Sequence, residues 1–152
     1  MTNQNENVEE VAMDLSFFMP GVAKAVEVEE WPISKRFVDK KGKVIPFKFK
    51  AITTERIDEL EKESMKPVYQ GKKKVGETVD TARFYAKVAI ESTIYPNFKA
   101  AELRKAYKTE DPVEVAKQVL HIGGEYANWV AKAVEINGFD DTPEDLEEAA
   151  KN

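Results

Sequence analysis

The sequence predicts an α+β fold: an N-terminal β-hairpin, then a small bundle of about five helices, with disordered acidic ends. Three observations predict it. Ile45, Phe47, Phe49 and Ala51 alternate with Pro46, Lys48 and Lys50, the period of two of a half-buried strand. Later segments place apolar residues at helical spacing, most clearly Tyr126, Trp129, Val130 and Ala133 at i, i+3, i+4 and i+7. Helix start and stop signals punctuate those segments, among them Asp111-Pro112-Val113-Glu114 and Asn137-Gly138.

The elements follow in order. Met1–Ala12 is polar and acidic, without periodicity, and reads as disordered. Leu15-Ser16-Phe17-Phe18-Met19 is an apolar patch stopped by Pro20-Gly21 and too short for an independent helix. Docking on the domain is the simpler expectation for it, and a hook for a partner is the alternative. Residues 33–38 and 45–51 read as paired strands around Asp39-Lys40-Lys41-Gly42-Lys43, where Gly42 suits a left-handed bulge position. Pro46 cannot donate to a ladder, so its strand is expected at an edge or bulged. Such a hairpin is not stable alone and must pack on the helices or pair with another strand, from this chain or a second copy.

A charged helix is expected from Thr53 or Thr54 to about Ser64, with Ile57 and Leu60 inward. A polar loop, 66–77, follows, and then a helix over 78–93 with Phe84 and Val88 paired at i,i+4. Pro96 ends that helix, and Asn97 is expected to cap the next, which carries Leu103 and Tyr107. Asp111, Pro112 and Glu114 open a helix with Val115, Ala116, Val119 and Leu120 as its stripe. Gly123-Gly124 breaks the chain before the Tyr126–Ala133 helix. Asn137-Gly138 stops that helix, and Phe139 can fold back on its last turn. Thr142-Pro143-Glu144-Asp145 repeats the start pattern and could open a short acidic helix. The expected organisation is residues 1–14 disordered, one domain over 15–140 (hairpin 33–52, helices 54–138) and an acidic tail over 141–152.

Composition narrows the function classes. The 152 residues carry a formal net charge of −5, with a basic stretch from Lys35 to Lys50 between acidic ends. There is no cysteine, which removes disulfides, thiolate nucleophiles and zinc–cysteine sites together. The single histidine, His121, sits between Leu120 and Ile122 at a helix end, where terminal carbonyls can engage it. A catalytic triad or a transition-metal site is poorly supported. Gly71 and Gly76 have the spacing of a phosphate-binding loop ahead of Thr78. Glu77 occupies the lysine position and would repel the phosphates. The C-terminal acids lack calcium-loop spacing. No apolar run is long enough to span a membrane, and the N-terminus has no secretion-signal pattern; the lack of cysteine fits a cytosolic chain without requiring it, and no cofactor or metal is expected.

Three blocks carry a family resemblance: ISKRFVDKKGKVIPFKFKAIT from Ile33, the region 79–119 with YPNFKAAELRKAY and DPVEVAKQVL, and GEYANWVAKAVEINGFDD ending at Asp141. In order and spacing they resemble the XkdN-like phage tail assembly chaperones over roughly Leu15 to Asp141. The resemblance implies a non-enzymatic protein of the host cytoplasm that holds the tape measure protein soluble, helps recruit tail tube subunits and is absent from the finished particle. It also suggests a longer, frameshifted form of the same chain, since Ala150-Lys151-Asn152 can be encoded by a slippery run of adenines.

The candidate partner-binding residues are Phe17, Phe18, Met19 and Trp31, with Tyr126 and Trp129 on a stripe that reads first as core. The edge formed by Ala127, Ala131 and Val134 could receive an amphipathic client helix. Ser34, Lys35, Arg36 and Phe37 match the family pattern and are assigned to the fold or to self-association, including a homo-oligomer. One rival reading is a nucleic-acid-binding accessory protein acting through the cations and aromatics of the basic hairpin. Its alternation puts Phe47 and Phe49 opposite Lys48 and Lys50, and the chain is acidic overall, so nucleic acid is disfavoured. A minor structural subunit of the tail is the other rival.

Overall fold

The computed structural model describes residues 13–151. The expectation of disorder at 1–12 falls outside them. Leu15–Phe18 forms one 3₁₀ turn, capped where Asp14 Oδ1 accepts from Ser16 N at 2.8 Å. An irregular, exposed connection leads to β1 (Glu29–Trp31). Then follow β2 (Phe47–Phe49), α1 (Thr54–Glu63), β3 (Met65–Gln70), β4 (Lys73–Val79), α2 (Thr81–Ser92) and β5 (Thr93–Tyr95). The chain continues through α3 (Ala101–Ala106), α4 (Pro112–Val119), α5 (Gly123–Ile136) and α6 (Pro143–Lys151). The fold class is α+β, as expected.

The expected N-terminal hairpin is corrected. Its turn forms: Asp39 Oδ1 accepts from Lys41 N and Lys43 N at 2.8 and 3.0 Å, and Gly42 takes φ +80°. The pairing stops after the Val38–Val44 bridge and the bond from Ile45 N to Phe37 O. Two causes are visible. Pro46 has no N–H to extend the ladder, and Ser34 and Arg36 are drawn toward α5 by Glu125. β2 is therefore the central strand of a three-stranded antiparallel sheet, order β1-β2-β5, rather than an edge. Trp31 pairs with Phe47 and Glu29 with Phe49, and the irregularity lies at Lys48/Phe49. The alternation itself holds: Phe47 and Phe49 are buried and Lys48 is exposed.

A second correction concerns 66–77, expected as a loop. It is the β3–β4 hairpin, with Met65 opposite Val79 and Gln70 opposite Lys73. Gly71, at φ +65°, supplies the positive φ of its two-residue turn. Because Thr78 and Val79 end β4, α2 starts at Thr81, where the Asp80 side chain accepts from Arg83 N at 3.2 Å. A third correction is that Asn97 does not cap α3. Its Oδ1 accepts from Lys99 N, and the N-cap position is Ala100, which has no side-chain bond.

The helix signals elsewhere work as written. Thr53 caps α1 and Asp111 caps α4, accepting from Val113 N at 3.0 Å. At the end of α5, Gly138 N reaches Glu135 O at 2.9 Å and Phe139 N reaches Val134 O at 3.2 Å, the paired bonds of a Schellman stop. Thr142 and Asp145 cap each other's backbone N–H groups at 3.1 Å and open α6, so the expected acidic tail is a helix through Lys151.

The core joins β2 to α2, α4 and α5. Trp129 is its largest fully buried side chain. Phe98 meets Trp129 edge-on at 5.3 Å and Phe47 at 6.2 Å, a geometry favoured by aromatic quadrupoles. The indole Nε1 of Trp129 donates to Thr93 Oγ1 at 2.8 Å, so the buried polar atom is satisfied. A smaller cluster, Leu60, Phe84 and Val88, fixes α1 on α2.

Candidate functional site

The Ser34–Phe37 segment is a structural clamp. Arg36 Nε donates to Glu125 Oε2 at 2.9 Å, and a terminal nitrogen donates to Glu125 Oε1 at 2.7 Å, a bidentate pair. The same guanidinium reaches Val119 O at 3.1 Å and lies over the Phe37 ring at 5.0 Å. The Ser34 hydroxyl donates to Glu125 Oε2 as well. Glu125 in turn accepts from Ile122 N at 3.3 Å and caps its own helix. The bonds from Arg36 outweigh the cost of burial and hold the Glu125 carboxyl at about 2. Phe37 packs on the core, and Lys35 is exposed. This arrangement joins the first and third sequence blocks. It ties Ser34, Arg36 and Phe37 to the fold, while Lys35 is left on the surface. Sequence reasoning passed over Glu125, because a carboxylate in a first helical turn reads as an ordinary N-terminal charge.

Among the described residues, Phe17, Phe18 and Met19 are left exposed rather than docked; Phe18 is 81% exposed. Leu15, Val22, Val26 and Val28 are exposed with them, so 15–28 is an apolar arm standing off the body. Trp31 lies at the arm's root and is half-exposed, with Lys132 Nζ 4.1 Å from its ring centroid. Lys132 is buried and bonded to Glu29 at 2.9 Å and Glu135 at 3.3 Å. Burial opposes its charge, but the two carboxylates outweigh that and raise its pKa above the usual lysine value. β1 is thus pinned to α5 at one point.

Tyr126 and Trp129, adjacent on one stripe, part company. Trp129 lies wholly inside, in the core role that its stripe reads as first. Tyr126 is half-buried and lines a groove of about 610 Å³ between α2, α4 and α5, with Ala82, Tyr85, Ala127, Val130 and Ala131. Small alanine side chains on both walls let another backbone approach closely. A separate apolar pocket of about 250 Å³ lies among Phe37, Phe47, Pro96, Phe98, Leu103 and Tyr107.

Other candidates lose their geometry. Gly71 and Thr78 are in a hairpin, not a loop entering a helix. His121 is exposed in the α4–α5 connection. Among the described residues no group of three His, Cys, Asp or Glu side chains could hold a metal, and no helix is long and apolar enough to cross a membrane.

The chain is similar to known proteins over most of its length. The chain is 67% identical over 151 residues to the uncharacterized protein YqbN of Bacillus subtilis (strain 168), covering 98% of this chain and 97% of that one. It is 65% identical over 156 residues to the phage-like element PBSX protein XkdN of the same organism, covering all of both. The crystal structure of the protein YqbN superimposes with a TM-score of 0.72 at 64% identity, covering 84% of this chain and 98% of that one. The model of the phage XkdN-like tail assembly chaperone proteins matches residues 15–151. With both the family pattern and full-length relatives matched, the chain belongs to the phage XkdN-like tail assembly chaperones.

Proposed function

We propose that this protein is a non-catalytic chaperone that binds the tape measure protein of its own phage or prophage in the host cytoplasm. It keeps that protein soluble, helps recruit tail tube subunits around it, and is absent from the finished particle. A long helical client with apolar stripes aggregates unless something covers them before the tube does. The carrying observation is the exposed apolar arm, Leu15 through Val28, rooted at Trp31. Seven exposed apolar side chains along an irregular reach suit weak, repeated contacts that can be stripped off during assembly. The alanine-walled groove beside Tyr126 is proposed as the second contact, since its small side chains let an amphipathic helix approach closely. Further partners in this reading are a second copy and a frameshifted longer form.

The test is co-expression with the neighbouring tape measure gene product. Soluble client that co-purifies with this chain supports the reading. Insoluble client with nothing retained overturns it. Salt-sensitive retention of nucleic acid would then favour the accessory-protein reading, and the chain's presence in purified particles would favour a minor tail subunit.

A further inference from the structure

Among the described residues, the C-terminal helix α6 has no buried side chain, although its start is well defined. Thr142 and Asp145 cap it reciprocally, yet none of its side chains is buried, and Leu146 is 58% exposed. Leu146, Ala149 and Ala150 fall at i, i+3 and i+4 and form one apolar stripe; Glu144, Glu147 and Glu148 stand off it. An isolated helix of nine residues is marginal in water, so a stripe of this kind needs a surface.

The unfilled groove lies next to its point of attachment. α6 leaves α5 through the Gly138 stop, where Phe139 meets Tyr85 edge-on at 6.4 Å. Tyr85 itself lines the groove. The chain therefore turns at the groove's end, with residues 140–142 between Phe139 and α6. Folded back antiparallel to α5, the nine residues of α6 extend about 13 Å, enough to cover the stretch of α5 that lines the groove, Tyr126 to Ala131, which extends about 8 Å. In that register Leu146 falls beside Ala131 and Ala150 beside Ala127. The groove's rim presents Arg83 and Lys117 to the acidic faces of α6, although Asp111 and Glu114 already share those cations and Asp80 adds an acid. The charge term is accordingly modest, and the apolar stripe and the short tether are the main contributions.

We infer that α6 is a built-in occupant of the groove between α2, α4 and α5, a lid that competes with a client helix for the same alanine-walled surface. This rests on the reading that the groove receives a client. A tether of a few residues gives an effective concentration of order millimolar, so a stripe with a single leucine closes the groove part of the time and still yields to a longer apolar helix. In the structure α6 stands in the open position.

The chain has no native cysteine, so engineered pairs report cleanly. Ala127→Cys with Ala150→Cys is compared, in the full chain, with Ala127→Cys with Glu148→Cys, whose second site lies off the stripe; all three residues are exposed. A disulfide needs Cα atoms within about 7 Å, so under mild oxidation the first pair is expected to close within one chain roughly tenfold faster than the second. Adding Leu146→Asp should bring the first pair down to the rate of the second. In the cysteine-free chain, Leu146→Asp should raise binding of the apolar dye anilinonaphthalene sulfonate by up to about twofold, as expected if a groove closed up to half the time becomes open nearly all of it. Equal rates for the two pairs, links only between chains, or no response to Leu146→Asp would overturn the lid. None of these readouts uses the tape measure protein, so a closed lid with no client binding would count against the chaperone reading alone.

Discussion

Arg36 and Glu125, 89 residues apart in sequence, are joined by two hydrogen bonds of 2.9 and 2.7 Å from one guanidinium to both oxygens of one carboxylate. Ser34 donates to the same carboxylate, and Arg36 also reaches the last turn of α4 at Val119 O. One side chain thus ties the segment before β2 to the α4–α5 corner, and the sheet to the helices.

Removing the clamp should destabilise the chain. Glu125→Gln breaks the charge pair but preserves shape, and Arg36 is 41% exposed, so part of its hydration is recovered. The expected cost is about 2 kcal/mol, within the range for charge-assisted bonds. For a chain of this size that lowers Tm by roughly 4–8 °C in calorimetry. Arg36→Met should lower Tm in the same direction, since it leaves the Glu125 carboxylate without its partner.

The same pair sets an acid limit. The Glu125 carboxyl lies at about 2 in the folded chain against an ordinary 4.5. Its contribution is therefore complete above pH 4.5 and is lost as pH falls toward 2, where the folded state also takes up the proton. Urea midpoints measured from pH 6 to pH 2.5 should fall more steeply for the natural chain than for Glu125→Gln. Parallel slopes would show that the carboxylate is not held down.

The two tryptophans should separate cleanly. Trp129 fills the core and bonds Thr93, so Trp129→Ala should cost about 3–5 kcal/mol or prevent folding. Trp31 is half-exposed, and Trp31→Ala should change stability by roughly 1 kcal/mol or less, mainly through the Lys132 contact. Chemical denaturation of the two variants checks both.

Gly138 carries φ +80°, and a Cβ there would approach Asp141 Oδ2 at 3.4 Å. The contact is tolerable and the backbone is not. Gly138→Ala should cost about 1–2 kcal/mol and loosen the α5 stop, read as faster amide exchange at Gly138 and Phe139.

Much of this fold was legible in the chain because helix ends are local chemistry. Asp111-Pro112, Thr53 and Asn137-Gly138 act within a few residues, and each marked its boundary. The alternation of Phe47 and Phe49 likewise found the buried face of β2. Its neighbours were not legible. β1 and β5 are three residues each, too short for a period to register, and they displaced the hairpin partner read from 33–38. The β3–β4 hairpin was hidden by its lysines; Gly71 after Pro67-Val68-Tyr69 was the available signal. In the candidate site, Ser34, Arg36 and Phe37 were singled out but not their acceptor, since a pairing across 89 residues leaves no local trace. Trp129 and Tyr126 sit on one stripe, and spacing alone could not say which of them turns inward.

The central claim is that the apolar arm seizes the tape measure protein, and one experiment tests it directly. The natural chain and a Phe17→Ser/Phe18→Ser/Met19→Ser variant are each co-expressed with tagged tape measure protein, and the co-purified chaperone is quantified. All three residues are exposed, so the variant should melt within about 1 kcal/mol of the natural chain. The account predicts that the natural chain co-purifies and the variant is lost along with client solubility. Equal retention of a normally folded variant would contradict it.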